Sequence, residues 1–303
     1  MARDAALWLT PGQQDEWVDS KKQVAFHIFA SFIAWTIISR VSMRILNRKA
    51  KPIKDPGNQA LLRYGATSAT HAIISLLASL YILMRRDLSH CGAQAFCHDN
   101  LSARLWCMHA GYALYEFLFW QNCSSLVKPW NEMVLLHNVV WILQAVASLL
   151  YPCRLSLVLL PLQEMLQVAT LVDCVRRFMS IYGAPWHMRF KTLLLFMVVF
   201  SAKAVGGAAL TAFTFYWLRK FSVWTLQLPE GMSSVNQVYG IIFLAGSCIN
   251  FMIYLKWAGA AVDMTNNLVA AVQGQNKKEQ DAAAALSYKA AATGNRKKKD
   301  RRR

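Results

Sequence analysis

Charge is scarce over most of this chain, and acidic charge is scarcest. Asp and Glu number 16 against 33 Lys and Arg in 303 residues, and charged residues make up 16% of the whole. A soluble domain carries about 25%, so an ordinary water-facing surface is excluded. No Gly-x-Ser-x-Gly elbow and no His-Glu-x-x-His helix occurs, which removes two common hydrolase readings. There is no glycine-rich loop of the phosphate-cradling kind and no internal repeat. A cleavable signal peptide is not expected either. The first twenty residues hold Asp4, Asp15, Glu16 and Asp19, with no apolar core behind a basic start. The net charge of +17 does not point to nucleic acid, because the basic residues flank apolar runs instead of clustering on a soluble module.

What the chain has instead is apolar length: 55% of its residues are hydrophobic. Seven stretches stand out, at about 24–46, 66–84, 103–122, 132–151, 155–172, 190–217 and 235–257. A helix needs about 20 predominantly apolar residues to cross a bilayer. The pattern predicts an all-α, polytopic integral membrane bundle of about seven transmembrane helices. Residues 1–22 are expected to be a lumenal amino-terminal segment, 23–258 the transmembrane domain, and 259–303 a basic cytosolic tail, largely disordered.

Orientation rests on Lys and Arg. One side holds Arg3, Lys21, Lys22, Arg85, Arg86, Arg154, Arg219 and Lys220. The other holds Arg44, Arg48, Lys49, Lys51, Lys54, Arg63, Lys128, Arg176, Arg177, Arg189, Lys191, Lys256 and the tail, and is the richer with or without the tail. The expectation is a lumenal N-terminus and a cytosolic C-terminus. The tail ends in Arg296-Lys297-Lys298-Lys299-Asp300-Arg301-Arg302-Arg303, a match for anionic lipid headgroups. Of seven cysteines only Cys91 and Cys97 share a loop, where an oxidising lumen permits a disulfide. The flanking His90 and His98 also allow zinc there, but a disulfide or free thiols are favoured, and no metal is expected.

Polar residues inside apolar helices are costly and mark sites by default. Counted from the cytosolic ends, His71, Glu116, His137, Gln167 and Asn250 fall in one layer, with Glu164 and Lys203 nearer the midplane. Tyr112 with Glu116, His137 with Gln144, and Glu164 with Gln167 share helix faces. These residues are expected to line a polar cavity, with Lys203 pairing with Glu164 or Glu116. His27 and His109 read as interfacial, and His187 as a surface residue. Internally paired polar groups in a solid bundle remain the plainer alternative for any one of them.

The ordered set resembles the TLC-domain family, which groups translocon-associated, ceramide-synthase and ceroid-lipofuscinosis-type membrane proteins. The likeness runs through Gly57-Asn58-Gln59, Ser68-Ala69-Thr70-His71-Ala72, Gly111-Tyr112-Ala113-Leu114-Tyr115-Glu116, Leu135-Leu136-His137-Asn138, Gln163-Glu164-Met165 and Arg176-Arg177-Phe178, to the stretch from Asn250 to Lys256. It covers about residues 55–260. It implies a six-helix TLC-type barrel plus an N-terminal helix, and residence in the endoplasmic reticulum. Where relatives carry an Asp after the Tyr and a His-His pair, this chain has Glu116 and His137-Asn138. The His-Asp pair of ceramide synthases is absent, since no His precedes Asp173. The resemblance is therefore closer to the non-synthase branch. It implies a protein that handles membrane lipid, binding an acyl chain or phospholipid without a cofactor. The alternative is an N-acyltransferase using acyl-CoA as substrate, with His137 as base or acyl acceptor and Glu116 orienting it. A channel or transporter using the same polar stripe is a third reading.

Overall fold

A computed structural model describes residues 11–49, 53–84, 99–123, 132–150 and 154–220, with most of 238–266. The Cys91–Cys97 loop and nearly all of the basic tail lie outside the described residues, as do the first ten residues. The chain divides into two units, residues 1–258 and 259–303, and the account below concerns the first.

Every described secondary-structure element is helical. In chain order these are α1 (Pro11–Lys49), α2 (Pro56–Met84), α3 (Asn100–Cys123), α4 (Glu132–Leu150) and α5 (Arg154–Glu164). A 3-10 turn follows (Met165–Gln167), then α6 (Val168–Ile181), α7 (Trp186–Lys220) and a helical run at 244–260, here α8. Among the described residues three helices are long and apolar enough to cross a membrane: Gln23–Leu46 within α1, Pro56–Met84, and Trp186–Tyr216 within α7, with mean hydropathies of 1.6, 1.5 and 2.1. Val134–Leu150 is a shorter apolar helix.

Two boundaries differ from the expected ones. The fifth stretch does not end near 172. Its helix continues through α6 to Ile181, so Arg176 and Arg177 stand on a helix and not in a loop. Asp173 accounts for both, accepting from Arg176 and Arg177 at 2.6 Å each. The reversal into α7 comes later, at Gly183, whose φ of 67° is open to glycine at no steric cost. The third helix starts earlier than expected, at Asn100. There the Asp99 carboxylate accepts the Ser102 amide at 2.8 Å and supplies an N-cap.

Side chains are sorted inside out. On α1, Phe26, Phe29, Ile33, Ile37, Val41 and Ile45 form an exposed apolar stripe, while Trp35 and Ser39 are buried. On α2, Ser68, His71, Ser75 and Ser79 are buried, while Ile73, Leu77 and Tyr81 face out. Water would reverse this order, and hydrocarbon favours it. Helix α2 is the hub, touching α1, α3, α5, the 3-10 turn and α6. Its inward row of Ser and Thr side chains lets neighbouring backbones approach closely. Between α1 and α3, Gly111 faces Ser31 so directly that a Cβ there would lie 2.5 Å from the Ser31 Cβ.

Candidate functional site

The polar residues gather in three neighbourhoods instead of one ring. The deepest joins α2, α3 and α5. His109 Nδ1 lies 2.6 Å from Glu164 Oε1, and both side chains are almost fully buried. His71 completes the group, and one donor atom from each of the three residues falls within 4.8 Å of the others. The His71 ring stacks on Tyr112 at 3.7 Å, and its Nε2 meets the Ser75 hydroxyl at 3.2 Å. The Tyr112 hydroxyl in turn shares a hydrogen bond of 2.7 Å with Ser68. Trp35 closes one side, edge-on to His71.

His109 was expected at the interface, and the structure buries it inside the bundle against Glu164. Because α3 begins at Asn100, His109 stands nine residues in, about 14 Å along the axis. It is 4% exposed. The signal was present in the sequence: His109, Tyr112 and Glu116 are spaced by three and four residues and form one inward row. His27, by contrast, is only partly buried and meets Gln23, one turn before it, at 3.1 Å, and His187 is exposed.

The second neighbourhood surrounds Glu116. Its carboxylate accepts from the Tyr64 hydroxyl at 2.5 Å. Among the described residues no hydrogen bond joins it to His137, the residue the acyltransferase reading has it orient. His137 accepts instead from Trp141 Nε1, one turn along α4, at 2.7 Å, and packs among the rings of Tyr254 and Trp257. The third neighbourhood joins α4 to α8: Gln144 donates to Ser247 at 3.0 Å and accepts from Asn250 at 2.5 Å.

Lys203 also departs from expectation. Among the described residues its ammonium forms no ion pair with Glu164 or Glu116, though both lie within electrostatic reach. It donates to Thr170 at 3.5 Å and sits over the Trp257 ring at 5.8 Å. Thr170 donates to Gln167 at 2.6 Å, so Gln167 and Lys203 share one hydroxyl. The helix axis sets depth, but rotation about that axis decides which partners meet.

An open pocket of about 460 Å³ lies elsewhere, where the C-terminal ends of α1 and α3 meet the start of α2. Arg40, Arg44 and Arg63 give it positive charge, while Met43, Ala60 and Phe119 give it apolar wall. None of the residues expected to line a cavity lines this one. Arg63 is held in place, because its Nε donates to Ser39 at 2.7 Å and its guanidinium lies 5.9 Å from the Phe119 ring centre. Ser39 also accepts from Tyr115 at 2.8 Å. Phe119 stacks on Tyr64, so the pocket wall adjoins the Glu116 neighbourhood. The sequence marked Arg44 and Arg63 as topology signals only and did not single out Arg40.

No protein-family model, curated protein or solved structure matches the chain.

Proposed function

We propose that this protein is a TLC-type membrane protein of about seven spans that binds a phosphate-bearing membrane lipid and so affects lipid composition or trafficking. In this reading the N-terminus is lumenal, the C-terminus cytosolic and the compartment the endoplasmic reticulum. The observation that carries it is the arginine pocket. A guanidinium is a planar fork matched to phosphate oxygens, and Arg63 is positioned before any ligand arrives. The apolar wall of Met43 and Phe119 suits the first carbons of an acyl chain. In the proposed orientation the pocket faces the cytosolic leaflet, where anionic lipids concentrate.

The test is native mass spectrometry of full-length protein in mild detergent, scoring co-purified phospholipid. Neutralising Arg40→Gln and Arg44→Gln together removes about 2 kcal/mol, a loss of about 30-fold in retention. Retention unchanged after Arg63→Gln is added, with the variant still folded, would sink the reading.

Acyl transfer from acyl-CoA to a sphingoid amine keeps one specific observation in its favour. The buried His109–Glu164 contact is the arrangement that fixes an imidazole for proton transfer. It moves the base from His137 to His109. Transfer of labelled acyl groups should then vanish in His109→Ala and persist in His137→Ala.

A further inference from the structure

The lipid reading uses the pocket and leaves the deepest polar group without a task. Three features of that group point the same way. First, two imidazoles and a carboxylate converge from three different helices, with one donor atom from each within 4.8 Å of the others. Nitrogen and oxygen donors in that number are the His₂Glu set of zinc enzymes. Second, Glu164 is 1% exposed, and among the described residues its Oε2 has no well-aligned hydrogen-bond donor, although the Ser75 hydroxyl lies near the carboxylate. A buried carboxylate oxygen without a donor costs several kcal/mol, roughly, unless something positive meets it. The close contact to His109 is made to the other oxygen, with Nδ1 2.6 Å from Oε1. Third, the rings are braced. His71 is stacked on Tyr112 and touched by Ser75, and His109 lies edge-on to Trp141 at 4.5 Å. Outer partners of this kind fix ligand rings in metal sites.

We propose that His71, His109 and Glu164 hold a divalent first-row transition-metal ion, zinc in the first instance, inside the helix bundle. Two neutral imidazoles and one carboxylate leave the ion with net positive charge. The Glu116 carboxylate and the Lys203 ammonium, of opposite charge, both lie within electrostatic reach of this region, so neither is needed as a ligand. Tetrahedral zinc with bonds of about 2.0–2.1 Å needs donors about 3.3 Å apart, and the separations here, from 2.6 Å for His109–Glu164 to no more than 4.8 Å, bracket that distance. Three protein ligands leave a fourth position open, which is the pattern of zinc sites that accept water or a substrate oxygen. The inference does not depend on lipid binding at the arginine pocket, which lies on other residues.

The test uses full-length protein purified in detergent without chelator. Elemental analysis should find about one zinc per chain, and cobalt loaded after chelation should show the visible bands of tetrahedral nitrogen–oxygen coordination. Glu164→Gln, nearly isosteric, should lower metal content to about 0.1 per chain, a drop at least as large as outer-partner changes cause. Glu116→Gln should retain the metal. Wild-type protein that takes up neither zinc nor cobalt overturns the proposal without recourse to any variant. So does Glu164→Gln protein that keeps its metal. If Glu164→Gln fails to fold, His71→Asn replaces it and is read the same way.

Discussion

In metal-free protein, His109 and Glu164 form either a charged pair or a neutral contact, and the two differ enough in energy to be told apart. At 2.6 Å, two unit charges attract by about 6 kcal/mol at an effective dielectric of about 20, before the cost of burying them. Removing one partner of a buried pair leaves the other uncompensated and costs about 3–5 kcal/mol. Neutral polar contacts between membrane helices are far weaker, averaging about 0.6 kcal/mol with a maximum of about 1.7. The perturbation is a double-mutant cycle of His109→Leu, Glu164→Leu and both together, on chelated protein in mixed micelles. Reversible denaturant unfolding gives each stability. We expect each single change to cost about 3 kcal/mol or more, and the double to cost less than either single, because an apolar pair of similar volume tolerates burial well. The coupling energy then exceeds about 2 kcal/mol, beyond the range of neutral contacts. Singles costing under about 1 kcal/mol, or singles that sum to the double, would refute a charged pair at this position.

Two other predictions concern the frame that holds the site. Gly111→Ala places a methyl 2.5 Å from the Ser31 Cβ and 2.8 Å from the Ile28 carbonyl oxygen, so α1 and α3 must part. Loss of about 1–3 kcal/mol follows, read as a lower melting temperature in detergent, and an unchanged melt refutes so close an approach. Asn250→Leu leaves Gln144 with Ser247 alone and should cost about 1–2 kcal/mol on the same denaturant scale. No cost would show that the α4–α8 contact is held by apolar surface.

Helical class and the inward turn of the polar residues were legible in the sequence, because a polar side chain in an apolar helix has few places to go. His71, Glu116, Gln144, Glu164 and Asn250 are all buried. Partnership was not legible. In a soluble amphipathic helix the apolar stripe marks the inner face, but here apolar residues occupy both faces. On α2, buried Leu62 and Ile82 lie on the inside, while Ile73 and Leu77 face outward. Hydrophobic periodicity therefore carries little information about rotation, and depth alone had to serve. Depth put Glu116 level with His137, yet the Glu116 carboxylate meets Tyr64 from α2. Depth also set Lys203 near Glu164, yet the ammonium reaches Thr170.

His109 failed for a different reason, a capping residue. Asp99 starts α3 before the apolar run does, so a depth counted from the apolar run placed His109 too near the helix end, whereas it is buried against Glu164. The same row that includes His109 also includes Tyr112 and Glu116. One face of α3 thus supplies a ligand to the deepest group, a stacking partner for His71 and the carboxylate of the second neighbourhood. A rotation of α3 about its axis would disturb all three at once. Gly111 lies on that helix, hard against Ser31 of α1, and fixes the rotation by leaving no room for another. A change that touches no ligand, such as Gly111→Ala, should therefore lower metal retention at the His71–His109–Glu164 group as well as stability.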